Sequence, residues 1–183
     1  MKTTPTLQEA VMSSTDHESL ENIGSDLSSG EKQFVTFSLE GEEYGIPILA
    51  VQGIESVPHV THLPGVPAYV KGIINLRGIV IPLIDLRAKF SLPGKDSAHP
   101  VAIIINSEGK NTHYGIIVDA VSDVMGFTAN EIQEMPAVAE KTSVIEKIGK
   151  KNNKLVMILN ISLLVSSDDT IILDNALKRS SAA

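Results

Sequence analysis

Arg77 offers the most specific chemistry in the chain. It stands in Asn75-Leu76-Arg77-Gly78, a short polar connection between two runs rich in Ile and Val and of strand length. Two such runs across a short polar link read as a β-hairpin. Asn75 and Gly78 bracket the arginine because a tight turn calls for positive φ, which Asn and Gly reach at least steric cost. A guanidinium held on a rigid tip can grip a carboxylate through paired hydrogen bonds, a geometry that lysine cannot supply. The plainer alternative is a solvated turn arginine.

Other reactive side chains fall into no catalytic pattern. His17, His59, His62, His99 and His113 are scattered, and there is no cysteine to serve as a thiol nucleophile or a zinc ligand. His59 and His62 are three apart on what reads as a strand, where they would point to opposite faces, so a metal site is not expected. Gly94-Lys95 lacks the upstream glycine and the following Ser or Thr of a phosphate-cradling loop. No G-x-S-x-G elbow is present. Glu42-Glu43 and Asp168-Asp169 are adjacent pairs, expected to be solvated acids or caps rather than facing carboxylates. No enzymatic activity, metal or cofactor is expected, and the chemistry left to the chain is that of a surface.

The elements that must position this surface are strands. Val35, Phe37 and Leu39 alternate with Thr36 and Ser38, the period of a half-buried strand. Residues 1–32 are instead polar, with six acids against two bases, and are expected to form a disordered tail. Within it Leu20, Ile23 and Leu27 fall at i, i+3 and i+7, the spacing of a transient amphipathic helix. A net charge of −7 disfavours a nucleic-acid backbone as partner. Lys147, Lys150, Lys151 and Lys154, the one basic cluster, read as a solvated turn. The apolar runs are of strand length, so neither membrane insertion nor a signal peptide is expected, and with no cysteine the expected compartment is the cytoplasm.

The chain also repeats itself. Tyr44-Gly45-Ile46-Pro47-Ile48-Leu49-Ala50-Val51 recurs as Tyr114-Gly115-Ile116-Ile117-Val118-Asp119-Ala120-Val121, and Val80-Ile81-Pro82-Leu83-Ile84-Asp85-Leu86 as Leu155-Val156-Met157-Ile158-Leu159-Asn160-Ile161. A mainly β fold of two packed barrels follows, with subdomains at about 40–90 and 100–165 inside a folded unit of 33–172. Short helical turns are expected after each closing strand. Ile171, Ile172, Leu173, Ala176 and Leu177 read as the apolar face of a C-terminal helix, capped by 166–169 and ending in a tail within 173–183. The second hairpin tip is the generic Lys150-Lys151-Asn152-Asn153, so a specialised surface belongs to the first copy.

Glu43-Tyr44-Gly45-Ile46, Pro64-Gly65-Val66-Pro67 and above all 71–78 running on to Pro82-Leu83-Ile84-Asp85-Leu86-Arg87 resemble the CheW family of chemotaxis coupling proteins, over 33–172. The resemblance implies two SH3-like five-stranded barrels on a shared apolar seam and a non-enzymatic adaptor. Its partners would be the cytoplasmic tips of methyl-accepting chemoreceptors and the regulatory domain of the histidine kinase CheA, at arrays on the inner face of the membrane. By position, Val51, Gly72, Asn75, Arg77 and Gly78 match the family's coupling residues, and Ile54, Asp85 and Arg87 extend the expected partner surface. Gly53 departs from the pattern, where relatives often carry an acid in reach of the hairpin arginine. Either Glu55 takes over as partner of Arg77, or the guanidinium is free for another protein. The competing readings are a coupler of another chemosensory system and a small β-barrel module with a different protein partner.

Overall fold

The alternation that starts at Val35 forms strand β1 (Lys32–Leu39), which turns at Gly41 into β2 (Glu42–Pro47). A computed structural model describes residues 30–57, 59–93, 99–106, 113–135, 144–165, 169, 171–175 and 178. Three strands complete the first copy of the repeat: β3 (Val51–Ser56), β4 (Val70–Leu76) and β5 (Ile79–Asp85). The second copy holds β6 (Val101–Asn106), β7 (His113–Val118), β8 (Ala120–Phe127), the short β9 (Ile132–Glu134), β10 (Ile145–Lys151) and β11 (Lys154–Leu159). Single helical turns follow both closing strands, α1 (Leu86–Lys89) and α2 (Ile161–Leu164). Each is capped by the residue before it: Asp85 accepts from the Ala88 amide, and Asn160 from those of Ser162 and Leu163.

The copies do not fold into separate barrels. One sheet has the order β8-β1-β2-β11-β10-β9 and the other β3-β6-β7-β5-β4. Each copy therefore gives its first hairpin to the sheet of the other, and the contiguous boundaries of about 40–90 and 100–165 do not describe the barrels. The exchange obeys the repeat. Gly45 of β2 lies beside Ile158 of β11, and Gly115 of β7 beside Leu83 of β5, both in parallel pairs at equivalent positions. A Cβ at Gly115 would lie 2.3 Å from Leu83 Cδ2, and one at Gly45 3.0 Å from Val156 Cγ1, which gives the repeated Tyr-Gly its steric reason.

Both faces of the sheets are buried, each against a different cluster. Val35, Phe37, Leu39, Tyr44 and Ile46 meet Ile84, Ile103, Ile105, Tyr114 and Ile116 in the seam between the sheets. Ile74, Ile81, Leu83, Ala102 and Ile104 fill one barrel, and Phe34, Phe127, Val156 and Ile158 the other. Two-sided burial explains the unbroken run Ile103-Ile104-Ile105, where successive side chains enter different cores. The five-stranded sheet closes because Thr61, beyond β3, exchanges two backbone hydrogen bonds with Ile73 of β4, at 2.9 and 2.8 Å. Gly72 makes this approach possible. Its φ is +143°, and a Cβ there would stand 2.2 Å from the Thr61 carbonyl oxygen.

An ion-pair clasp joins the two sheets at the β7–β8 crossing. Arg87 on α1 donates from Nε and Nη2 to the two Asp119 oxygens at 2.6 and 2.7 Å, and from Nη1 to Glu40 in the β1–β2 turn. Asp119 also accepts from the Glu40 amide at 2.9 Å. Arg87 was expected on a partner surface, but its charge is spent inside the chain. The side chains of Arg87 and Asp119 keep only 16% and 18% of their exposure. The Arg87 hydrogen bonds hold the Asp119 carboxyl below the usual carboxylate range, against the opposing effect of burial. Because its folded pKa is lowered, its contribution to stability is complete above the unfolded value of about 3.9 and is lost as pH falls through the lower folded value. Arg87→Met is thus expected to cost about 2 to 3 kcal/mol at neutral pH, by taking the guanidinium away from two partly buried carboxylates. The difference from wild type should shrink below about pH 4. Urea unfolding at pH 7 and pH 3 checks both parts.

A helical stretch at 169, 171–175 and 178 brings the buried Leu173 into the seam. Two sequence expectations change here. Ile171 is 59% exposed and so is not part of the buried face. Asp169 is buried rather than solvated, accepting from the Tyr69 hydroxyl and from Lys89 Nζ at 2.8 Å. Burial, followed by the Asp169 contact, pushes the Tyr69 hydroxyl up to about 12. Ala176, Leu177 and the capping residues 166–168 lie outside the described residues, as does the tail except for 30–32.

Candidate interaction surface

The hairpin at 70–85 is built as expected, with one difference at its tip. Leu76 pairs with Ile79, so the turn proper is only Arg77-Gly78. Positive φ falls on these two residues, 53° and 86°, the pattern of a type I′ turn that matches the twist of its strands. Asn75 is not one of the positive-φ residues. It serves the turn with its side chain, Oδ1 accepting from the Gly78 amide at 2.9 Å. The equivalent tip in the second copy is Asn152-Asn153, with φ of 50° and 61°. Asparagine is among the residues best suited to this conformation, whereas an arginine there carries a backbone cost.

Among the described residues no contact of the Arg77 side chain offsets that cost. Among the described residues Arg77 has no ion-pair or hydrogen-bond partner, and neither has Glu55, so the guanidinium is free. Around it Ile79 and Val80 are 52% and 46% exposed, and Val80 sits opposite exposed Asn75 in the ladder. The tip therefore presents one cation, an amide already engaged in the turn, and two aliphatic side chains on a rigid backbone.

The other expected site residues take different places. Gly72 is buried beneath the hairpin at the barrel closure. Val51 and Ile54 are half-buried against the seam. Gly53 follows a register shift in β3 and has open space where a Cβ would be, so no steric demand fixes glycine there. Asp85 is 4% exposed, caps α1 and lies 3.1 Å from Lys71 Nζ. Asp85 and Arg87 hold charged partners within the chain, and of the expected site residues Asn75, Arg77 and Gly78 are the exposed ones. Sequence reasoning missed Ile79 and Val80 because they read as strand core. It also missed Leu49, which is 93% exposed and aligns in the repeat with the clasped Asp119; an apolar residue in place of a paired acid was the available signal.

His59 and His62 were placed on opposite faces of a strand. The segment after β3 is instead irregular up to the Thr61 bridge, and both rings line one depression of about 410 Å³ with Val57, Lys71, Arg87 and Asp119. His62 Nδ1 lies 2.9 Å from the Lys71 carbonyl. Among the described residues no group of three or more His, Asp or Glu is placed to hold a metal ion, and no helix is long and apolar enough to cross a membrane.

Comparison with known proteins bears on the whole of this architecture. The model of the CheW-like domain matches residues 33–169. The chain is 37% identical over 149 residues to a chemotaxis protein CheW of Klebsiella aerogenes, covering 80% of this chain and 89% of that one. It is 36% identical over 147 residues to the Bacillus subtilis protein of the same name, covering 79% and 93%. A crystal structure of the scaffolding protein TtCheW from Thermoanaerobacter tengcongensis superimposes with a TM-score of 0.70 at 34% identity, over 76% of this chain and 95% of that one. Two exchanged, strand-rich repeats across a common seam, and a match of this extent, make the chain a member of the CheW-like family.

Proposed function

We propose that the chain is a non-enzymatic adaptor of chemotaxis signalling, which binds the cytoplasmic tips of methyl-accepting receptors and the regulatory domain of the histidine kinase CheA. Its place is then the cytoplasmic face of a receptor array. The family match and the scaffolding role named for the Thermoanaerobacter tengcongensis relative support this reading. The observation that carries it furthest is Arg77: an exposed cation with no described partner, at a left-handed turn position where the equivalent tip uses asparagine. An arginine kept in a turn slot that asparagine would fill at lower backbone cost is a reason to look for function at that site. A free guanidinium can take a partner carboxylate in bidentate fashion, while Ile79 and Val80 supply apolar contact beside it.

Capture from bacterial lysate with the immobilised chain tests the reading. Recovery of a histidine kinase together with receptor fragments, and their loss with Arg77→Ala, is the expected result. Recovery of nucleic acid, or of neither signalling protein, would count against it.

A further inference from the structure

The two crossings between the sheets are equivalent in the repeat but are fastened differently. β7 runs on into β8 through Asp119, and β2 into β3 through the 3₁₀ turn Ile48–Ala50, where Leu49 is the equivalent of Asp119. Both ladders then slip at the same repeat position. Ser122 falls between the Val121–Phe37 and Asp123–Thr36 pairs, and Gln52 between the Val51–Ile105 and Gly53–Ile104 pairs.

The start of β8 is tied down along its length. Asp119 is clasped by Arg87, and its amide donates to the Ser38 carbonyl at 3.2 Å. The Ser122 hydroxyl donates to Glu43 at 2.9 Å. Thr36 Oγ1 donates to the Asp123 carbonyl at 3.0 Å and accepts from the Asp123 amide at 3.2 Å.

Among the described residues these ties have no counterpart at the start of β3. Leu49, in place of Asp119, is 93% exposed, and Ser162 of α2 takes the place of Arg87. Gln52 is exposed and its side chain has no hydrogen-bond partner. Gly53 and Ile104 stand where Asp123 and Thr36 pair, and neither carries a hydroxyl. Asn106, the next residue of β6 after Ile105, has a buried side-chain oxygen with no donor. A buried acceptor left unpaired favours any opening that lets water reach it.

Local opening in a native protein can require anything from almost no free energy up to that of global unfolding, and missing ties lower it. We infer that the β2–β3 crossing, residues 48–53, is a hinge built into the fold, which lifts from β6 without global unfolding while the β7–β8 crossing stays locked. Its opening uncovers Val51, half-buried against the seam. This inference does not depend on the coupling reading.

Native-state amide exchange of the full-length chain tests it. Protection over 51–53 is expected to be roughly ten-fold or more below that over 121–123, and to change little in low urea because a local opening exposes little surface. Leu49→Asp together with Ser162→Arg transplants the clasp. The pair should raise protection over 51–53 by roughly ten-fold and leave 121–123 unchanged, while either substitution alone should not. Asp119→Leu makes the reverse change, and protection over 121–123 should fall towards that of 51–53, with the β5 amides as the gauge of global stability. Equal protection of the two stretches in the wild-type chain would overturn the inference. So would a difference that the transplanted clasp leaves untouched, because it would not arise from the missing ties.

Discussion

Gly72→Ala should unfold the barrel built on β3-β6-β7-β5-β4 or come close to it. The residue sits at φ +143°, a conformation that side chains rarely adopt, and the new methyl would stand 2.2 Å from the Thr61 carbonyl oxygen and 2.8 Å from Val60 Cγ1. Only backbone movement relieves the first clash, because the carbonyl is one of the two groups that close the sheet. Forcing the strands apart would break the Thr61 pair with Ile73 and reopen the barrel core around Ile74 and Ile81. A loss of about 4 kcal/mol or more is expected, in the upper range for single substitutions. Gly53→Ala is the internal control, since a Cβ there meets nothing within 4 Å. It should change stability by no more than about 0.5 kcal/mol. Urea unfolding of both variants decides the point, and equal stability would refute the closure argument.

Arg77 should behave in the opposite way, with little effect on folding and a large effect on binding. Its guanidinium makes no described contact inside the chain, so Arg77→Ala is expected within about 0.5 kcal/mol of wild type. Arg77→Asn should be neutral or slightly stabilising, because asparagine enters the left-handed region at lower cost, as Asn152 does at the equivalent tip. Loss of a charge-assisted hydrogen-bond pair to a partner carboxylate costs about 1.5 to 3 kcal/mol, roughly a ten- to hundred-fold weaker complex. Arg77→Lys should recover part of this, since the charge remains while the bidentate geometry is gone. Titration of the three variants against the kinase regulatory domain and a receptor tip fragment gives the comparison.

The strands and the hairpin were legible because period-two alternation and turn chemistry are local. The repeat was legible as well, but not the exchange of hairpins. Tyr44-Gly45 and Tyr114-Gly115 carry the same pattern whether they pair within their own copy or across to the other. Side-chain period states which face a residue takes, not which strand lies beside it. The Arg87 clasp was not legible for a similar reason: its partners are 32 and 47 positions away, and no local spacing announces them. The Asp85 cap had a readable signal, an acid directly before a helical turn. Arg77 could be singled out from sequence because its setting is local, a guanidinium in a short polar link between two apolar runs of strand length. The exposure of Ile79 and Val80 depends on how far the strands run beyond the core, which their apolar pattern does not encode.

The most direct test of coupling through the Arg77 tip is reconstitution of receptor-controlled kinase autophosphorylation, with wild-type chain or Arg77→Asn titrated into receptor-bearing membranes and CheA. Wild type should place the kinase under receptor control. The asparagine variant, shown by its unfolding curve to be folded, should need roughly ten- to hundred-fold more protein to do so. Full control by Arg77→Asn at the wild-type concentration would contradict the account.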